Sequence, residues 1–282
     1  MKNPYRSQKI AFFFLFLATL LIVIPVGLIV VVIIQKGLPA INWQFLSDIP
    51  RQGMRAGGIF PAIIGTLYLV TGAILFALPI GLLAAIYLSE YAKDNALTRI
   101  IKLAIVNLAG VPSVVYGLFG LALFVVFLKF GASILAGSLT LGIMILPVII
   151  TTSREALESV PQSFREVSLS LGASKWHTIR HIVLPNAIPG ILTGTILGLG
   201  RAAGETAPIL FTVAAFYLPR LPKSVFDQAM ALPYHLYVIS TQVPNVDEKI
   251  RYGTALVLLA IVLFMNLVAI IIRTKYRKRK KW

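Results

Sequence analysis

The sequence contains no cysteine, which excludes disulfides and thiolate metal sites and leaves the redox compartment unmarked. It is also short of charge. Only 13% of its 282 residues are Asp, Glu, Lys or Arg, whereas a soluble domain carries about a quarter. No G-x4-G-K-[ST] phosphate loop occurs, so the chain lacks that means of binding ATP. No convincing internal repeat is present, which argues against a self-sufficient ion-coupled transporter with a site between repeats. Nor do titratable groups cluster within the apolar stretches, as a membrane-embedded enzyme would require.

What is present is apolar sequence in long runs. Hydrophobic residues make up 58% of the chain and mean hydropathy is +0.87. Six runs, near 10–34, 60–88, 100–128, 135–153, 188–213 and 254–272, are long enough to cross about 30 Å of hydrocarbon. The expectation is therefore an all-α integral membrane protein with six transmembrane helices and lipid as its main solvent. The first run is too long for a signal-peptide core and no small-residue cleavage site follows it, so it reads as an uncleaved helix. The net charge of +16 is not a nucleic-acid signature, because seven basic residues fall in the last ten positions, directly after the final run. Such a cluster anchors a helix at an anionic leaflet, and no nucleic-acid partner is expected. With the N-terminus inside, Lys and Arg divide 17 on the inner segments against 8 on the outer ones, which places both termini in the cytoplasm.

Two outer segments are long. Residues 35–58 hold Trp43, Phe45 and a Gly57-Gly58 pair. Residues 214–253 contain "SVFD", where Ser224 and Asp227 have the spacing of a capping box and predict a short helix. Either segment suits contact with an extracytoplasmic partner or a lid over the helix ends.

The longest inner segment, 154–187, reads as two short helices. Pro161 ends the helix continuing from the fourth span, and Ser163 with Glu166 forms an S-x-x-E box that starts a new one. Gly172 suits the left-handed residue that closes it; Ser174 caps the next helix, and Pro185 stops that one. Phe164, Val167 and Leu171 share one face, and Trp176, Ile179 and Val183 another. Glu166, Gly172 and Ile182-Val183-Leu184-Pro185 fit the spacing E-A-A-x3-G-x9-I-x-L-P, with Val167 and Ser168 in place of the two alanines. This resembles the cytoplasmic loop of permease subunits of bacterial ABC importers. "GTLYLVTGAILFALPIGLLAAIYLSEYA" (65–92), "GVPSVVYGLFGLALF" (110–124) and above all "RAAGETAPILFTVA" (201–214) are similar to the phosphate-specific, PstA-type family of these permeases.

The resemblance implies a type I ABC importer permease (MetI-like) fold, with an N-terminal helix and outer segment at 1–56, a permease domain at 57–273 and a basic tail at 274–282. It also implies that Glu166, Gly172, Ala173, Ser174 and Lys175 belong to a coupling knob seated on an ATPase. Partners implied are a second homologous permease, an ATPase dimer that binds ATP and Mg, and an extracytoplasmic phosphate-binding protein, at the inner membrane of a bacterium or archaeon. The chain itself would be no enzyme and would bind no cofactor. The same machine for sulfate or molybdate is the nearest alternative, and dependence on a separate ATPase separates both from an ion-coupled transporter.

The fifth run carries the least expected residues. Arg201 and Glu205 stand four apart at membrane depth, where each ionisable group costs roughly 2.5–3.5 kcal/mol on insertion scales. One reading has Arg201 facing a pathway and offering its planar fork to an oxyanion, with Glu205 as resting counter-charge and Thr206 as an added hydroxyl donor. The other is a fixed pair joining two helices. Gly190, Gly194 and Gly198 form a small-residue face for close helix approach, with Gly200 and Gly204 on a second. Residues 188–218 would span about 46 Å if wholly helical, and Pro208 offers a place to bend. In the third run Pro112 and Ser113 interrupt the helix as a break or gate. His177 and His181 have metal-site spacing, but Thr178 replaces the glutamate of H-E-x-x-H and His235 is expected across the membrane, so no metal is assigned.

Overall fold

The computed structural model describes residues 4–277; Lys2 and the tail residues Lys278, Arg279, Lys280 and Lys281 lie outside the described residues. Helix α1 (Pro4–Gly37) leads through a 3-10 turn to the short α2 (Trp43–Ser47) and a two-residue hairpin, β1 (Pro50–Arg51) with β2 (Ala56–Gly57). Next come α3 (Phe60–Ile86), α4 (Ala96–Ala109), α5 (Ser113–Gly120) and α6 (Ile134–Glu158). The knob is α7 (Gln162–Ser170) and α8 (Lys175–Thr178), and it runs into α9 (Leu184–Gly204). The chain closes with α10 (Ala207–Thr212), α11 (Leu232–Thr241) and α12 (Glu248–Arg277).

Helix α6 is the hub. About 67% of its spanning window is buried, against none of α1 and 6% of α12. It packs on α3 and α9, and α9 approaches it along the predicted small-residue face: Gly190 meets Ala156, Gly194 meets Thr152, and Gly198 meets Ile145 and Ile149. Leu141, Met144, Ile145 and Ile149 are wholly buried there. A second apolar cluster, with Ala85, Leu157, Val160, Ile179 and Val183, joins the knob to the ends of α3, α6 and α9. The opposite end is closed by segments 35–58 and 214–253, and there Lys36 at the end of α1 pairs with Glu248 at the start of α12. Both helices therefore point their chain-terminal ends towards the knob.

The third run is broken beside Pro112, as expected: α4 and the helix of 113–127 meet at 102°, so that among the described residues five unbent helices are long and apolar enough to cross a membrane, or six if the bent pair counts as one. Three sequence expectations change. The fifth run begins earlier, as an unbroken Lys175–Gly204 helix, because Pro185 does not stop it. A π turn at Ile179–Val183, in which the Leu184 amide reaches Ile179, shifts the hydrogen-bond register just before the proline. "SVFD" forms a turn instead of a helix. Asp227 accepts from the Lys223 and Ser224 amides, which hold its carboxyl below the usual range, and Ala229 goes on to bridge Ala214. Finally, α7 starts at Gln162 with Pro161 in the capping position and no side-chain cap; proline's fixed φ already sets the entry, and Ser163 is exposed.

Candidate functional site

Two helix breaks define the site. In the first, Pro112 lacks the N–H that would have bonded the Leu108 carbonyl. The Tyr116 hydroxyl donates to that carbonyl instead, at 2.7 Å, and the Val111 amide adds a bond of 3.1 Å. Tyr116 is buried, while Pro112 is exposed and Ser113 partly so. In the second, Pro208 lacks the N–H for the Gly204 carbonyl and its ring crowds that oxygen, so α9 ends at Gly204. The break thus falls four residues ahead of the proline. Glu205 turns extended (φ −76°, ψ 137°), and Pro208 enters the first turn of α10.

The two breaks touch. Gly117 on α5 lies against the Ala207 carbonyl and Pro208, where an added Cβ would stand 3.1 Å from each. Arg201, in the last turn of α9, reaches Glu205 with Nε 3.5 Å from Oε1. This is a loose pair, longer than the 2.7–2.9 Å of a tight charge-assisted bond. It is also only partly covered: the side chains keep 32% and 19% of their exposure, and the space beside Gly204 is open. Thr206 is half-buried in the break itself. Irregular backbone within a membrane is tolerated where it lines a cavity or is buried in protein; here Tyr116, Gly117 and Pro208 are buried while Gly204 is exposed.

The knob residues lie elsewhere, at the other end of α9. Leu184 and Arg201 are 17 residues apart on one helix, about 26 Å at 1.5 Å per residue. Gly172 has φ +84°, its amide bonds to the Leu169 carbonyl and the Ala173 amide to that of Ser168, the paired bonds that close a helix around a left-handed residue. Ser174 caps α8 through the His177 amide, and Lys175 sits 4.8 Å over the Tyr91 ring. Glu166 is exposed. The apolar faces read from spacing do not all point inward: Ile179 and Val183 are buried and Phe164 partly so, but Val167, Leu171 and Trp176 are 61%, 83% and 51% exposed. The contact between α7 and α8 is made by the buried hydroxyls of Ser168 and Thr178, 2.8 Å apart. His177 and His181 stack on the outside of this unit, while His235 is buried in α11.

Sequence reasoning missed Tyr116 and a buried pair, Arg165 with Glu90. Each had a signal. Tyr116 stands one turn after Pro112, and Arg165 has no acidic residue three or four places away on its own helix, which leaves only solvent or a distant carboxylate to meet it.

Residues 77–282 match the family model described as "Binding-protein-dependent transport system inner membrane component". The "Phosphate transport system permease protein PstA 1" of Mycobacterium tuberculosis is 36% identical over 98% of this chain and 90% of that protein. The "Probable phosphate transport system permease protein PstA" of Methanocaldococcus jannaschii is 34% identical over 91% and 90%. The fold resembles a solved bacterial ABC transporter for import of the polysaccharide alginate (TM-score 0.64, 15% identity, 98% of this chain and 100% of that one). It also resembles the MetNI methionine ABC transporter (TM-score 0.61, 15% identity, 77% and 97%). With its breaks, its knob and these relatives taken together, the chain belongs to the family of binding-protein-dependent transport system inner membrane components, the permease subunits of ABC transporters.

Proposed function

We propose that this chain is the PstA-type permease through which an ATP-driven importer moves inorganic phosphate into the cell. The observation that carries the reading is the loose, partly exposed Arg201–Glu205 pair at a helix break. A pair built only to lock helices would be covered and tight. Here the guanidinium fork is held by one long contact of 3.5 Å, and an arriving oxyanion competes with one carboxylate for planar donors that match its geometry. Glu205 keeps the empty path neutral, because the extended backbone at 205 leaves its side chain within reach of Arg201. The Thr206 hydroxyl adds a donor at the same break. The named phosphate permeases among the relatives support phosphate over sulfate or molybdate.

In this reading the knob end is cytoplasmic, as the basic residues that favour that side suggest, and the membrane is the inner membrane of a bacterium or archaeon. The exposed Val167, Leu171 and Trp176 meet an ATPase dimer that binds ATP and Mg. A second, similar permease completes the path, and a phosphate-binding protein delivers the ion to the outer segments. Alternating access is driven by the partner's hydrolysis, and α9 connects the knob to Arg201 in one helix. The test is Arg201→Gln in the assembled importer: phosphate uptake is lost while the complex still purifies intact. Uptake at the wild-type rate would refute the pathway role.

A further inference from the structure

At the knob end one guanidinium gathers three helix ends. Arg165, in the first turn of α7, donates from Nη2 and Nε to Glu90 (2.7 Å and 3.2 Å to Oε1, with Oε2 3.3 Å from Nε). Its Nη1 donates to the Val160 carbonyl at 2.7 Å and its Nη2 also to the Leu157 carbonyl at 2.9 Å. Leu157 lies in the last turn of α6 and Val160 just beyond it, so Arg165 takes up carbonyls that a helix end leaves open. Glu90 belongs to a π turn, Tyr87–Tyr91, that ends α3, where the Ala92 amide reaches back to Tyr87. The extra residue in that turn sets the direction of Glu90, and such turns recur at functional positions. Both side chains are nearly covered, at 12% and 7%, and together they form one wall of a cavity of about 550 Å³ also lined by Lys175 and Thr178.

Stability alone does not account for this arrangement, since a buried ion pair is often no better than apolar packing of the same volume. Direction does. Apolar contact is non-directional and fixes no single register, whereas a fork holding two carbonyls and a carboxylate has one. A lysine at this position would offer a point charge and could not bridge all three ends at once.

We propose that Arg165 and Glu90 are positioning residues that transmit displacement of α7 to α3 and α6, so that movement of the docked ATPase reaches the membrane helices. The inference rests on the coupling role given to the knob above. Tight docking without this link would let the ATPase turn over while the path stays still.

The test uses the complete importer in liposomes, with labelled phosphate uptake and ATP hydrolysis read from the same vesicles. Arg165→Lys and Glu90→Gln each lower phosphate moved per ATP hydrolysed by about tenfold, the scale of losing one charge-assisted hydrogen bond, in a complex that stays assembled by size-exclusion chromatography. Leu171→Asp, on the exposed face of the knob, is run alongside and releases the ATPase. An unchanged ratio in both Arg165→Lys and Glu90→Gln overturns the transmission role, as does loss of assembly in both, which would make the pair a structural clamp. If Leu171→Asp leaves docking and coupling intact, the knob reading itself fails, and the transmission role fails with it.

Discussion

The contact between α9 and α6 gives a graded test of the packing on which the site rests. A methyl group added at Gly190 would fall on the Ala156 methyl, which has no rotamer to yield, so the helices themselves must part. At Gly198 the same methyl would rest 3.5 Å from Ile145 and Ile149, an ordinary contact. Overpacking costs typically 1–3 kcal/mol, while replacing a helical glycine by alanine returns roughly 0.5–1 kcal/mol of backbone entropy. Gly190→Ala is therefore destabilising by about 1–2 kcal/mol net, and Gly198→Ala is neutral or stabilising by up to about 1 kcal/mol. The reciprocal exchange Ala156→Gly/Gly190→Ala moves the methyl across the interface and returns stability to within about 1 kcal/mol of the parent, as expected for directly coupled neighbours. Thermal unfolding of the purified protein in detergent measures all three against the parent, with phosphate uptake as a second reading for Gly190→Ala. Equal stability of Gly190→Ala and Gly198→Ala, or no recovery in the double variant, would refute the close approach of α9 to α6.

Two further outcomes are expected. Burial pushes the His235 imidazole down to about 4, so the unfolded chain binds a proton that the folded one refuses between pH 6.5 and about 4; stability contributed by this residue is full above pH 6.5 and falls with pH through that window, by at most about 3 kcal/mol. His235→Asn should flatten that part of a melting-temperature against pH curve, and an unaltered slope would contradict it. Tyr116→Phe removes the hydroxyl that bonds Leu108 across the first break and lowers stability by about 1 kcal/mol, a shift visible in the same melting assay; no shift would mean the break does not depend on that bond.

The spanning helices were legible because long apolar runs leave few alternatives in lipid. The knob's turn was legible too, since Gly172 and Ser174 act through bonds to their own neighbours. What escaped was whatever depends on register or on distant chain. The π turn that carries the helix through Pro185 leaves no local mark, and neither does the one that aims Glu90. "SVFD" has helix-capping spacing, but the pairing of Ala229 with Ala214 draws the following residues into extended backbone. At the site, Arg201, Glu205 and Pro112 were readable as polar or ring-bearing residues out of place. The position of the second break was not, because Pro208 acts on the carbonyl four residues before it. Arg165 and Glu90 are 75 residues apart, and only the fold brings them together.

The central claim is that this permease carries phosphate past Arg201 at the expense of ATP. Its most direct test is uptake of labelled phosphate and labelled sulfate in cells lacking the gene, complemented with the wild-type chain or with Arg201→Gln, before and after ATP depletion. The account predicts that ATP-dependent phosphate uptake alone is lost, that the wild-type chain restores it, and that Arg201→Gln does not. Phosphate uptake unchanged by the deletion, or fully restored by Arg201→Gln, would contradict it.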